Sequence, residues 1–246
     1  MFVHVFPLLI LGFFLGACSK EEPMSNFDNI KETALPKAMI DPSNPNNSLD
    51  TSGFVHNRQL IRFVDNHLLK GRMNTLQDVT NYFNADYEMA DFISKYGNVF
   101  PNDPVTFDST LTEFHNENPI FHEYFIEMHA VASNTGLNLE QKLNAIRTYE
   151  NNFRFDYYPI EIAESLKVMS SIARYSLHLW APLGEGGLGY FDKVLLAKDK
   201  EKLDWYEVAA DDIMGAALSG VFTGNPLIAL GGGVLSSGWT ILKHYA

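Results

Sequence analysis

The sequence predicts an all-α fold, in which a helical body is followed by a glycine-rich helical hairpin at the C-terminus. Apolar residues recur at intervals of three and four, and several segments begin and end with residues typical of helix caps. The sequence contains no run of alternating apolar and polar residues bounded by turn dipeptides, which is the pattern that would indicate a sheet. The chain has 246 residues, of which 46% are apolar and 18 are Phe, so it can bury a real core.

The first half of the body is expected to contain three helices. The apolar spacing that begins at Phe54 predicts a helix that ends at Gly71. Asn74 is a candidate N-cap for a second helix, which ends at Gly97. Asp108 is placed to cap a third, short helix.

The second half of the body has clearer helix boundaries. Pro119 is favourable as the first residue of a helix, and Gly136 is a suitable residue to end it. Asn138 and Gln141 have the three-residue spacing of a capping box, which predicts that another helix begins there.

Two segments follow the capping box. Residues 153–158 fit either a short strand or an aromatic loop, and a long helix is expected from Pro159 to about Trp180. The glycines at 184–189 match a dinucleotide-binding motif in letters only, because no strand precedes them and no clear helix follows.

The C-terminal segment is uncharged between Asp212 and Lys243. Asn225-Pro226 interrupts it, which predicts a hairpin with arms at Leu203–Thr223 and Pro226–His244. Small residues that allow close helix packing are Gly215, Ala216, Gly220, Gly224, Gly232 and Ser236. A glycine costs about 1 kcal/mol relative to alanine inside a helix, so compensating contacts are needed. We expect the arms to pack on each other and on the body; contact with a second copy and insertion into a bilayer are the alternatives.

The N-terminus has the pattern of an exported protein. Residues 1–17 carry no charged side chain, and their apolar block is shorter than the roughly 20 residues that span a bilayer. The block ends in Leu15-Gly16-Ala17-Cys18, where small residues precede the only cysteine. These residues resemble a bacterial lipoprotein signal. The resemblance implies cleavage between Ala17 and Cys18 and acyl chains on Cys18, which together anchor a protein stably to a membrane.

The residues after the cysteine resemble an export signal followed by a linker. Lys20, Glu21 and Glu22 resemble the short signal of lipoproteins displayed on the outer face of some Gram-negative outer membranes, with display toward the periplasm as the alternative. Proline and asparagine are frequent up to residue 53, which predicts a flexible tether, with docking of residues 34–40 on the body as the alternative. The predicted organisation is therefore a signal peptide (1–17), a tether (18–53), a helical body (54–190) and C-terminal helices with the hairpin (191–246).

The histidines and paired acids do not predict catalysis. His115, His122 and His129 are seven residues apart, but Pro119 interrupts the series. The last two would lie about 10 Å apart along one helix, too far to share a metal ion. We therefore predict no metal site and no cofactor, and we expect His56 to make a local hydrogen bond.

Asp211 and Asp212 lie just before the uncharged segment. We expect this pair to mark the exposed polar end of the hairpin. The alternative is a buried acid with a raised pKa.

The composition and the N-terminus together predict a lipid-anchored outer-membrane lipoprotein with a binding or structural role. A net charge of −12 argues against nucleic-acid binding. Residues 205–238 also resemble a C-terminal element of exported proteins of gut-type Gram-negative bacteria and, more loosely, the glycine-zipper segments of pore-forming bacteriocins. The alternatives are thus a membrane-active effector and an enzyme with an unfamiliar site. The expected partners are membrane lipid through Cys18 and a protein, or a second copy, through the hairpin.

Overall fold

The computed structural model describes a helical assembly, and every described residue belongs to the compact unit that spans 36–246. The described residues are 38–72, 75, 78, 81–82, 119–195, 204–223, 232–233, 236 and 241. No strand occurs among them, so the predicted all-α fold is confirmed for this part of the chain.

Six α-helices have defined bounds. They are α1 (Thr51–Phe63), α2 (Pro119–Ser133), α3 (Leu139–Asn152), α4 (Ile160–Trp180), α5 (Tyr190–Leu195) and α6 (Trp205–Thr223). A π-helical segment, Val64–Leu68, continues α1, and single 3-10 turns lie at Phe155–Tyr157 and Leu183–Glu185.

Several predicted boundaries are found where the sequence placed them. The side chain of Asn138 accepts from the backbone of Gln141 and the side chain of Gln141 accepts in return, which is the predicted capping box. Pro159 directly precedes α4, and Gly71 adopts the left-handed φ of +62° that suits the end of a helix.

Other predicted elements differ or fall outside the described residues. Residues 153–158 form an irregular segment around a 3-10 turn, so the aromatic loop replaces the strand. Residues 78, 81 and 82 are helical. The rest of the second predicted helix and the short helix at Asp108 lie outside the described residues.

Helix α4 lies at the centre of the fold. Fifteen of its 21 residues are buried, which requires neighbours on every side. Helices α1, α2, α3 and α6 all contact it. The largest fully buried apolar side chains of the core are Trp180, Tyr124, Tyr190, Phe63 and Phe125.

The segment before α1 corrects one prediction. Residues 38–50, here called the strap, lie against the folded body, whereas the sequence predicted a flexible tether up to residue 53. Asn44 and Asn47 of the strap are buried, and their side chains donate to the carboxylate of Glu150. The asparagine side chains that make this segment resemble a linker therefore donate hydrogen bonds to a buried acid. The folded part therefore begins at least fifteen residues before Phe54.

The two arms of the predicted hairpin meet at Gly215. This residue lies in α6, and the described residues of the second arm (232, 233, 236 and 241) are also helical. A Cβ at Gly215 would overlap the carbonyl oxygen of Gly232 and would lie 2.6 Å from the Cβ of Ser236. The close approach therefore requires glycine at 215. The surroundings of Gly220 and Gly224 lie outside the described residues, and no described helix has the length and hydropathy needed to cross a membrane.

Replacing Gly215 with alanine is expected to destabilise the protein by about 1–3 kcal/mol, because the methyl group forces two helix backbones apart. Chemical denaturation monitored by circular dichroism measures the effect. Gly184→Ala is the matched control, since a Cβ there meets no atom within 4 Å. Equal stability of the two variants would show that the arms do not pack at Gly215.

Candidate functional site: two buried polar clusters and a surface groove

Asp212 is buried rather than exposed, which corrects the expectation that the acid pair marks a solvated end. Its carboxylate is fully buried and its Oδ2 accepts hydrogen bonds from Ser176 Oγ and, at 2.9 Å, from Trp180 Nε1. Burial raises the pKa of Asp212 well above its usual range, although the Ser176 and Trp180 hydrogen bonds oppose the shift. The structure thus supports the alternative of a buried acid.

His56 faces this carboxyl group. Its Nε2 lies 3.7 Å from Oδ1 of Asp212, and its Nδ1 lies 3.1 Å from Oδ1 of Asn57. The amide nitrogen of Asn57 donates to the carbonyl of Tyr175, so its oxygen faces the imidazole and Nδ1 carries the proton. Burial lowers the pKa of His56 to about 4, against the opposing effects of Asn57 and the Gly233 backbone. We call His56, Asp212, Ser176 and Trp180 the acid–imidazole cluster.

A second buried cluster surrounds Arg174. Its guanidinium lies 2.7 Å from Asp50 and 3.1 Å from Glu150, and it also donates to the carbonyl of Pro42 at 2.6 Å. Ser170 donates to the same Glu150 carboxylate at 2.7 Å. We call Arg174, Glu150 and the strap groups around them the arginine cluster. It joins α3, α4 and the strap.

The two clusters hold helices together and do not form a reaction site. His56, Asp212 and Arg174 are each 0% exposed, so a substrate has no access to them. The hydroxyl of Ser176 donates to the acid and not to the imidazole, which is not the arrangement of an activated nucleophile. Within the described ranges, no three His, Cys, Asp or Glu side chains are grouped to hold a metal ion.

The histidine series has no shared site in the described residues. His129 is partly buried, its Nδ1 lies 3.5 Å from Ser133 Oγ, and burial lowers its pKa. His122 lies seven residues before His129 on the same helix, α2. His115 lies outside the described residues.

The structure also shows a surface groove of about 410 Å³ where four elements meet. The turn after α2, the N-terminal end of α3, the 3-10 turn at 183–185 and the start of α6 border it. Its lining residues are Thr135, Gly136, Leu137, Asn138, Gln141, Lys142, Glu185, Trp205 and Tyr206. We call this the α3 groove. Its volume falls within the ~300–1,000 Å³ range of small-molecule sites.

Lys142 fixes the geometry of the α3 groove. Its buried amine donates to the last free carbonyls of α2 and the following turn, those of Val131 (3.3 Å), Ala132 (2.5 Å) and Asn134 (2.7 Å). Burial lowers the pKa of Lys142 to about 8, and the charge of Glu185 opposes this shift. The amine therefore remains protonated at neutral pH, where a cation at a helix C-terminus is favourable.

The capping box presents hydrogen-bond donors to the groove. The amide oxygens of Asn138 and Gln141 each accept a hydrogen bond from a backbone N–H group. The NH₂ group of each side chain therefore points away from the capped backbone. Neither NH₂ group has a partner in the part of the chain that the structure describes. Glu185 accepts from the backbone of Leu139 through Oε2 at 3.3 Å, which leaves Oε1 as an acceptor.

Two aromatic rings form the remaining wall. Trp205 and Tyr206 lie edge to face with their centroids 5.9 Å apart, and both are partly exposed. The Lys142 amine lies 5.6 Å from each ring centroid, a distance that allows cation–π attraction. The groove therefore combines aromatic surface with planar polar groups.

The sequence did not predict the α3 groove or the arginine cluster. The capping-box residues predict only the start of a helix, and the position of Trp205 predicts only the hairpin region. A signal was present for the arginine cluster, because Ser170, Ser171 and Arg174 place polar groups in the middle of a helix whose neighbouring positions include Val168, Met169, Ile172 and Ala173. The predicted N-terminal sites, Ala17, Cys18, Lys20, Glu21 and Glu22, lie outside the described residues.

Comparison of the chain with protein-family models, with curated proteins and with solved structures gives no match.

Proposed function

We propose that this protein is a lipid-anchored outer-membrane lipoprotein whose helical body has a binding role. The observation that carries the proposal is the position of the only cysteine. Cys18 follows an uncharged apolar block and two small residues, and the composition changes to Ser-Lys-Glu-Glu directly after it. No other position in the chain can carry a thioether-linked lipid.

The strap supports a tethered arrangement. Residue 38, where the described chain begins to contact the body, lies twenty positions after Cys18. At a maximum of about 3.5 Å per residue, this length reaches up to ~70 Å. The strap joins the arginine cluster, so the membrane-proximal segment is fastened to the core through Arg174 and Arg147, which donate to Pro42 and Ser43.

The described side chains favour binding over the two alternatives. The buried acid, imidazole and guanidinium groups act within the core, which argues against an enzymatic site there. The contact of Gly215 with Gly232 and Ser236 favours a packed hairpin over an arm that enters a bilayer. The α3 groove offers aromatic and amide groups at the surface.

Expression of the full chain in a Gram-negative host tests the anchor. We expect mass spectrometry of the N-terminal peptide to show an acylated Cys18 as the first residue, and the protein to fractionate with the outer membrane. Cys18→Ser is the matched control and should give an unacylated, released chain. A mature wild-type protein without lipid on Cys18 would contradict the proposal.

The orientation of the anchored protein is tested separately. Replacing Lys20, Glu21 and Glu22 with alanine should abolish accessibility to external protease in intact cells, while acylation of Cys18 persists. Equal accessibility of the variant and the wild type would exclude these three residues as an export signal.

A further inference from the structure

The α3 groove has an unusual balance of donors and acceptors. The capping box uses the amide oxygens of Asn138 and Gln141, and each NH₂ group provides two N–H donors. Glu185 provides a carboxylate oxygen, Oε1, and Thr135 provides a hydroxyl group. A complementary ligand must therefore present several acceptors and also at least one donor.

The aromatic wall adds a second requirement. The partly exposed rings of Trp205 and Tyr206 have apolar faces and carry no charge that a ligand would have to neutralise. A ligand that fits both walls has an apolar face on one side and hydroxyl groups around its edge. A pyranose ring has this construction, because its axial C–H bonds form one face and its hydroxyls both donate and accept.

The charges in the groove favour an uncharged ligand. The three donors of the Lys142 amine are engaged by the carbonyls of Val131, Ala132 and Asn134, so they are not available to an incoming anion. The carboxylate of Glu185 would repel an anion, and the whole chain carries a net charge of −12. A cation would face the protonated Lys142 at close range.

From these observations we propose that the α3 groove binds a neutral saccharide, with a sugar face against one ring of the Trp205–Tyr206 wall and its hydroxyls on Asn138, Gln141 and Glu185. This inference deepens the proposed binding role and rests on it. The volume of about 410 Å³ accommodates a disaccharide. The saccharide is either a free oligosaccharide or part of a polysaccharide chain, since both present the same ring chemistry.

The capping box offers a conservative test. Gln141→Glu keeps an oxygen that accepts the Asn138 backbone N–H, so the helix cap is preserved, but it removes both N–H donors. Asn144→Asp is the matched control, because it adds the same charge at an exposed position of α3 outside the groove. Tyr206→Ala removes a ring that is only partly buried and that is not among the core side chains.

The experiment uses the full chain in detergent, with a panel of neutral disaccharides (maltose, cellobiose and lactose), a uronic-acid disaccharide and the matching neutral polysaccharides. Saturation-transfer NMR and tryptophan fluorescence measure binding. We expect at least one neutral saccharide to bind saturably, Gln141→Glu and Tyr206→Ala to weaken it about tenfold or more, and Asn144→Asp to match the wild type. Thermal denaturation of each variant checks that the fold is retained.

Three outcomes overturn the inference: no neutral saccharide binds, the uronic-acid disaccharide binds most tightly, or both groove variants bind as well as the wild type. Binding of polysaccharide but not of free disaccharide identifies a chain-binding site, and the reverse identifies an oligosaccharide site. Acylation of Cys18 is measured on the same preparations, so failure of saccharide binding is distinguished from failure of the lipoprotein assignment.

Discussion

Replacing Arg174 with alanine is expected to lower the free energy of unfolding by about 3–5 kcal/mol. Arg174 is 0% exposed and is the cation between the carboxylates of Asp50 and Glu150. Its removal leaves Glu150, which is 3% exposed, without its charge partner. An uncompensated charge in a buried position costs far more than the ion pair itself contributes, because no water replaces the lost partner.

The same substitution should also release the strap. The guanidinium donates to the carbonyl of Pro42, while Asn44 and Asn47 donate to the Glu150 carboxylate that Arg174 holds in place. We therefore expect limited proteolysis to cleave the variant within residues 38–50 under conditions that leave the wild type intact.

Two variants calibrate this prediction. Arg174→Lys keeps the charge but cannot form the forked contacts to two carboxylates and a carbonyl, so an intermediate loss of stability is expected. Arg154→Ala breaks an ion pair with Asp156 whose side chains are 59% and 63% exposed, so its denaturation midpoint should stay close to that of the wild type. If denaturant titration gives Arg174→Ala and Arg154→Ala the same midpoint, the arginine cluster does not stabilise the fold.

The fold was predictable where a local pattern determines the structure. The capping box at Asn138 and Gln141 and the proline before α4 act within a single turn of backbone, so their effect can be read directly from the residues. The order of the strap was not predictable, because its composition is that of a linker. Its order depends on Glu150 and Arg174, which lie more than 100 residues away along the chain.

The burial of Asp212 also depends on contacts between residues that are distant in the sequence. An acid before an uncharged segment is usually exposed, since burial of an unpaired carboxylate is costly. Here Ser176 and Trp180, one turn apart on α4, direct two donors at the same oxygen. A sequence pattern does not reveal which helices will face each other, so neither this contact nor the α3 groove could be assigned beforehand.

Helix α4 carries both polar clusters on different faces. Ser170 and Arg174 are four residues apart and face the strap and α3, while Ser176 and Trp180 are four apart and face α1 and α6. The polar residues of this central helix therefore fix the positions of its neighbours at two separate points.

Asp212 and His56 are expected to give opposite dependences of stability on pH. The raised pKa of Asp212 means that the folded state holds a proton that the unfolded chain releases above about pH 4, so this group's stabilising contribution is lost as the pH rises through its folded pKa. The pKa of His56 falls from 6.5 to about 4, so its contribution is lost as the pH decreases from 6.5 to 4. That contribution amounts to about 3 kcal/mol.

Asp212→Asn should separate the two effects. The amide oxygen of asparagine can accept from Ser176 and Trp180 as Oδ2 does, and its NH₂ group can face the unprotonated Nε2 of His56. The variant thus reproduces the protonated acid without a titrating group. We expect its free energy of unfolding to rise by up to about 3 kcal/mol between pH 4 and 6.5, because only the His56 contribution remains. The wild type should show a flatter profile and become less stable than the variant as the pH increases.

Urea denaturation between pH 4 and 8 measures these profiles. Asp212→Ala removes the acceptor altogether and should cost about 2–4 kcal/mol near pH 4, since the Trp180 N–H and the Ser176 hydroxyl lose their partner. This cost should become smaller as the pH rises, because the wild type then loses the contribution of its protonated Asp212. Asp192→Asn removes a charge at an exposed site on α5 and should change stability by less than about 0.5 kcal/mol. If Asp212→Asn and the wild type keep a constant difference across this pH range, Asp212 does not hold an extra proton in the folded state, and the proposed protonation of this buried acid is wrong.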